Sequence, residues 1–285
     1  MTKLADIKNI EPAFMQQVRN ALDQKTKPPG SLGRLEDLAA QVAGIQGRIK
    51  PEIASAQVFV IAADHGIAHE GVSAYPQAVT AQMVLNFLSG GAAISVLAKA
   101  NNAKVTVVDA GVGETIAAHE NLLDRKIAFG TKNFLYQEAM TFAQVETALQ
   151  YGKALCEKLP QHSSVIIGEM GIANTTSASA LMHGLTRLPI AECVGRGTGV
   201  NDDGVLLKQK VIAEAFARYE TSADAKCGDA KTLLARFGGF EIAMICGAML
   251  GAAQAGQVII VDGFIATTAA CLAIRLQPEV QAYMV

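Results

Sequence analysis

Glu169 is the residue in this sequence that points most clearly to chemistry, because Gly171-Ile172-Ala173-Asn174-Thr175-Thr176-Ser177 follows it. A carboxylate ahead of a glycine turn and a hydroxyl-rich helix start suits an anion, since unpaired N–H groups and the helix dipole favour negative charge there. The same segment reads as well as ordinary N-capping by Asn174 or Thr175. It lacks the Gly-Lys-Ser/Thr of a Walker A loop. A second glycine turn, Gly195-Arg196-Gly197-Thr198-Gly199, leads to Asp202, Asp203 and Lys208. Its backbone can approach a phosphate closely while Arg196 and Lys208 supply charge. For Lys208 a solvated helix face is the competing reading.

Other polar groups are less specific. Asp64, Asp109, Glu169 and Asp262 each follow an apolar run, so a parallel sheet would bring all four to one rim. Each alone can simply cap a turn. His65 and His69 are four apart, but HGIAH lacks the Glu of HExxH, and no metal site is expected. Tyr75, Gln82 and Met83 around a helix start could form a slot for a flat heterocycle, or belong to the core.

The elements that must position these residues are visible in the periodicity. Val58–Ile61, Val105–Val108, Val165–Ile167 and Val258–Val261 read as strands buried on both faces, with weaker candidates near Ile127 and Cys193. Helices are expected over Pro76–Leu88, Ala92–Lys99, Thr141–Leu159, Asn174–His183, Asp203–Arg218 and Gly239–Ala255, with a capping box at Thr141 and Gln144. The alternation implies βαβ units and a parallel sheet. Two helices precede it. One spans Pro12–Gln24; the other carries Leu32, Leu35, Leu38, Val42 and Ile45 on one face, capped by Ser31 and ended by Gly47.

Composition bounds the function. At roughly 150 residues per domain, 285 residues predict two domains or one large unit with an appendage. The apolar share of 51% against 18% charged residues can bury a large core. A net charge of -2 gives no whole-protein field for nucleic acid or an anionic membrane, so a small ligand is expected. Mean hydropathy is high (+0.27). The apolar run Ile242–Ala253 covers only 12 residues, whereas a membrane span needs about 20. MTKLADIKNIEP is no secretory signal, and Cys156, Cys193, Cys227, Cys246 and Cys271 form no CxxC pair. Both point to a cytoplasmic protein with reduced thiols.

Several long motifs carry a family resemblance: KTKPPGSLGRLEDLA (Lys25–Ala39), AADHGIAHEGVSAYPQAVTAQMV (Ala62–Val84), GEMGIANTTSASAL (Gly168–Leu181), VGRGTGVNDDG (Val194–Gly204), GGFEIAMICGAML (Gly238–Leu250) and VDGFI (Val261–Ile265). In this order they resemble the nicotinate-nucleotide:dimethylbenzimidazole phosphoribosyltransferases of cobalamin synthesis. The resemblance implies a homodimer with a Rossmann-like α/β domain, a mostly parallel sheet flanked by helices, over residues 51–275. It implies a small helical domain from the chain ends, residues 1–50 and 276–285, incomplete here. The implied reaction moves the phosphoribosyl group of nicotinate mononucleotide to dimethylbenzimidazole, giving α-ribazole phosphate and nicotinate, without metal or other cofactor.

Carried onto this sequence, the motifs imply Glu169 and Lys208 near the reacting groups and Gly171, Gly197 and Thr198 at the nucleotide phosphate; Asn174, Thr175, Arg196 and Asp262 are further substrate-binding candidates. Tyr75, Gln82 and Met83 would meet the benzimidazole. In the family a further C-terminal tail carries the catalytic base in a Gly-Glu-Gly-Thr-Gly motif, which has no counterpart in this sequence. Impaired turnover is therefore expected, with a non-catalytic binder of nicotinate nucleotide or α-ribazole as the alternative.

Overall fold

The computed structural model describes residues 6–220 and 229–285. Five parallel strands form one sheet: β1 (Ser55–Ala63), β2 (Lys104–Gly111), β3 (Leu122–Asp124), β4 (Ser163–Met170) and β5 (Val258–Ile260), in the order β3-β2-β1-β4-β5. The helices are α1 (Pro12–Asp23), α2 (Arg34–Gln46), α3 (Val79–Leu88), α4 (Ala93–Ala100), α5 (Phe142–Cys156) and α6 (Asn174–Thr186). They continue with α7 (Ile190–Cys193), α8 (Asp202–Glu220), α9 (Ala230–Phe237), α10 (Phe240–Gln254) and α11 (Phe264–Leu276).

β1 is the central strand, and its period of two sorts its side chains onto two covered faces. Phe59, Ile61 and Ala63 join the main core with α10, while Val58, Val60 and Ala62 pack toward Ala81 and Val84 of α3 and Ala98 of α4. This accounts for the uninterrupted apolar strand sequences. α10 is buried from Phe240 through Ala253, as a helix apolar on all sides must be. Its approach to α5 depends on glycine. A Cβ at Gly247 would stand 2.2 Å from the Leu149 carbonyl oxygen, and one at Gly251 would stand 2.5 Å from that of Lys153.

The capping box forms, with Gln144 donating its N–H to Thr141 Oγ1 at 3.2 Å and the Gln144 side chain accepting from the Thr141 N–H at 2.9 Å. Gly47 closes α2 in the left-handed region, but its N-cap is Gly33, not Ser31, and Leu32 and Leu35 are exposed rather than core. The strand expected near Ile127 lies earlier, at Leu122–Asp124, and Cys193 ends a short helix begun by Pro189, not a strand. Cys227 lies outside the described residues; Cys156, Cys193, Cys246 and Cys271 are free thiols. Burial pushes the Cys156 and Cys246 thiols up to about 12.

The two chain ends meet. Gln41 of α2 donates to the carbonyls of Ala282 and Met284, and the Tyr283 hydroxyl donates to that of Lys8 at 2.8 Å. Val285 also exchanges backbone hydrogen bonds with Ile259 and Val261 beside β5. Val79–Ala100, taken as one segment, has the length and mean hydropathy (1.5) of a membrane-spanning helix despite Gln82 and Asn86. Gly90, in the left-handed region at φ 80°, lies in the turn that breaks it into α3 and α4.

Candidate active site

The chain runs outward from β1 through β2 to β3, then returns to the other side of β1 for β4. The strand order therefore reverses between β1 and β4, and a crevice opens at their carboxyl ends. A cavity of about 620 Å³ lies there, lined by Glu169, Gly171, Asn174, Thr175, Gly197 and Lys208, with Thr198 beside them. Two glycine turns and the charged side chains of Glu169, Glu192 and Lys208, distant in sequence, thus share one pocket.

Glu169, at the end of β4, is open to the pocket on one side and otherwise enclosed. Burial, reinforced by the nearby Glu241 carboxylate, pushes its carboxyl up to about 7. The Asn174 side-chain amide donates to Glu169 Oε2 and works in the opposite direction. Asn174 is thereby taken from capping: the N-cap of α6 is Ala173, a left-handed alanine at φ 74°, and the helix has no side-chain cap. A non-glycine residue held there costs about 1–3 kcal/mol. The uncapped N-terminus of this 13-residue helix borders the pocket.

Lys208 extends from α8 into the same pocket and is only 2% exposed. Its Nζ donates to Thr175 Oγ1 at 3.1 Å and lies 3.5 Å from the Gly195 carbonyl oxygen. Among the described residues it makes no ion pair with a carboxylate, and burial holds it below the usual lysine range. A buried ammonium flanked by glycine backbone and a helix N-terminus is suited to an anionic ligand. Gly197 cannot be replaced without crowding this group: at φ 54°, its Cβ would stand 3.0 Å from Lys208 Nζ and 2.9 Å from Thr175 Oγ1.

Other expected residues are not brought to this cavity. Arg196 bonds Asp202 and the Val200 carbonyl, so the charge next to the glycine turn is used by the turn's own exposed acid. Asp262 is exposed beyond the end of β5, although its neighbours Phe264 and Ile265 line the wall. Tyr75, Gln82 and Met83 stay outside the lining; Ser73 is the residue from that segment which reaches it. Of the four rim acids, Asp64 and Asp109 are buried turn-holders, accepting the Gly113 and Val112 N–H groups at 2.6 and 2.9 Å. Lys126 also pairs with Asp109, at 2.9 Å.

Beneath the pocket, His65, which beside Asp64 reads from sequence as a loop organiser or ligand contact, has a partner that sequence reasoning missed. His65 and Glu241 are both fully buried and joined at 2.6 Å. Glu241 sits in the apolar run of α10, and only its place in the first helical turn after Gly238-Gly239 hinted at a polar role.

The comparisons with known proteins agree with this geometry. A family model described as phosphoribosyltransferase matches residues 7–285. The nicotinate-nucleotide–dimethylbenzimidazole phosphoribosyltransferase of Janthinobacterium sp. (strain Marseille) is 50% identical over 273 residues, covering 96% of this chain and 78% of that protein. Its counterpart from Dechloromonas aromatica (strain RCB) is 48% identical over 270 residues, covering 94% and 77%. The crystal structure of CobT from Thermus thermophilus superposes with a TM-score of 0.89 at 42% identity, covering 96% of this chain and 81% of that one. With its parallel α/β sheet, its pocket at the point where strand order reverses and these relatives, the chain belongs to the phosphoribosyltransferase family.

Proposed function

We propose that this phosphoribosyltransferase moves the phosphoribosyl group of nicotinate mononucleotide to dimethylbenzimidazole, giving α-ribazole phosphate and nicotinate, in assembly of the lower ligand of cobalamin. The observation that carries the reading is Lys208, a buried ammonium without an acidic partner among the described residues, beside two glycine turns in one pocket. The nucleotide phosphate completes that charge pairing, with the Gly197 turn and the start of α6 supplying N–H donors. The names of the relatives support the choice of nucleotide and base.

In the reaction a benzimidazole nitrogen attacks the anomeric carbon while the bond to the pyridine nitrogen breaks, and the departing ring loses its positive charge as nicotinate. The benzimidazole N–H proton goes to a base. Glu169 serves this role among the described residues, because a carboxyl held near about 7 accepts protons at neutral pH. The working form is a cytoplasmic homodimer; exposed Leu85, Val96 and Leu97 on α3 and α4 supply apolar surface for a second copy.

The test is incubation of the protein with both substrates and separation of the products by chromatography. Equimolar nicotinate and α-ribazole phosphate are expected. Tight binding of the nucleotide with no product at any protein concentration would replace this reading with a non-catalytic binder of nicotinate nucleotide or α-ribazole.

A further inference from the structure

The first turn of α6 and the floor of the pocket rest on a buried polar chain that spans three elements. Ser177 Oγ, on α6, lies 3.0 Å from His65 Nδ1, and His65 Nε2 lies 2.6 Å from Glu241 Oε1 on α10. Ser177, His65 and Glu241 are all 0% exposed. The backbone is shaped around them. A Cβ on Gly239 would stand 2.3 Å from His65 Cε1, and one on Gly171 would stand 3.3 Å from both Glu241 Oε1 and His65 Cδ2. Gly171 itself lines the pocket, so this pair lies one residue thickness behind the surface that faces a ligand. A polar chain this deep in an apolar helix interface is costly unless its members are hydrogen-bonded, and one so bonded rigidifies the elements it joins.

We propose that the Ser177–His65–Glu241 chain is a positioning element of the site, pinning the turn between β4 and α6 and setting the electrostatic environment of Glu169 from behind. The pinning half follows from geometry. Glu169 ends β4, Gly171 and the left-handed Ala173 lie in this turn, and Asn174 and Thr175 open α6, all of them at the pocket. It is tied from one side by Thr80 Oγ1, which accepts the Ile172 N–H at 3.1 Å, and from below by His65 through Ser177.

The electrostatic half follows from the charges around Glu169. Glu241 reaches toward it from α10 and His65 from the end of β1, with Asp64 beside them; Glu192 of α7 and Lys208 of α8 line the same pocket. Burial opposes charging of His65, and the Glu241 carboxylate overcomes it, holding the imidazole above its usual range. The pair is then a buried ion pair with little net charge. Removing His65 alone leaves the Glu241 carboxylate unbalanced under Glu169.

The proposal rests on this pocket being the transfer site, but its test does not use turnover, so the two can fail separately. The carboxyl of Glu169 is titrated by carbon NMR in protein labelled at glutamate carboxyls, with Glu169→Gln giving the assignment. Glu241→Gln, which also leaves His65 neutral, is expected to move the midpoint down from about 7. His65→Gln leaves an unbalanced carboxylate and moves it up. The His65→Gln shift is on the order of one pH unit, the size expected of a unit charge at short range in a protein interior, and the Glu241→Gln shift is smaller because two opposing charges vanish together. Unmoved midpoints, or shifts of the same sign in both variants, overturn the electrostatic role.

Ser177→Ala keeps every charge in place and tests the pinning alone. Hydrogen exchange at the Ile172, Asn174 and Thr176 amides is expected to accelerate several-fold, with the amides of α10 unchanged. Equal acceleration in both segments, or none, overturns it, and this measurement stands even if the His65 and Glu241 variants fail to fold.

Discussion

A single carboxyl, Glu169, concentrates the conflict between stability and function in this molecule. Burial favours its protonated form, and the proposed role as base needs it ionised. Its folded-state value, about 7, lies above the ordinary 4.5, so folding takes up a proton between those values and stability falls as pH rises through that window. Glu169→Gln is therefore expected to raise the melting temperature at pH 8 more than at pH 5 while lowering turnover about 100-fold or more. Calorimetry at the two pH values with a parallel product assay checks both halves; equal stabilisation at both would contradict the titration. In the wild type, kcat should climb with pH through about 7, where the base becomes available. Glu169, Asn174, Thr175, Gly197 and Lys208 were legible in the sequence because each belongs to a local glycine-turn pattern. The pairing of His65 with Glu241 was not, because 176 residues separate the partners and no spacing announces it.

Among the elements, the helix pair α5 and α10 decides how much the core tolerates. Gly247 lets the backbones approach to a distance at which a Cβ would collide with the Leu149 carbonyl oxygen at 2.2 Å. A backbone obstacle cannot rotate aside, so Gly247→Ala should destabilise the protein by about 1–3 kcal/mol or more, read as a lowered denaturant midpoint. Gly195→Ala has open space around its Cβ and serves as the contrast, with little change in stability expected. The strands and the long helices could be read from the sequence because a buried parallel strand is a short β-branched run bounded by turns. α11 was not, since Phe264–Leu276 is rich in small and β-branched residues and buried over most of its length, which leaves no polar stripe to mark its period. α9, at 8 residues, was also missed, although α4 of the same length was read. The misread strand at Cys193 is a matter of length, because four residues carry no periodic information.

For the whole molecule, surface left apolar is the feature to explain. Leu85, Val96 and Leu97 are each more than half exposed on neighbouring helices. The homodimer proposed above would cover them with a second copy, so Leu97→Glu should shift the sedimentation coefficient toward the monomer while leaving the far-ultraviolet circular dichroism spectrum intact. A wild-type monomer across the micromolar range would contradict this. The account as a whole depends on one pocket holding a nucleotide phosphate against Lys208, and equilibrium binding of nicotinate mononucleotide, followed by calorimetry in wild type and Lys208→Met, tests it most directly. Loss of a charge-assisted contact at a buried site predicts affinity weaker by about 10- to 100-fold. Unchanged affinity in a folded Lys208→Met protein would place the nucleotide elsewhere and contradict the account.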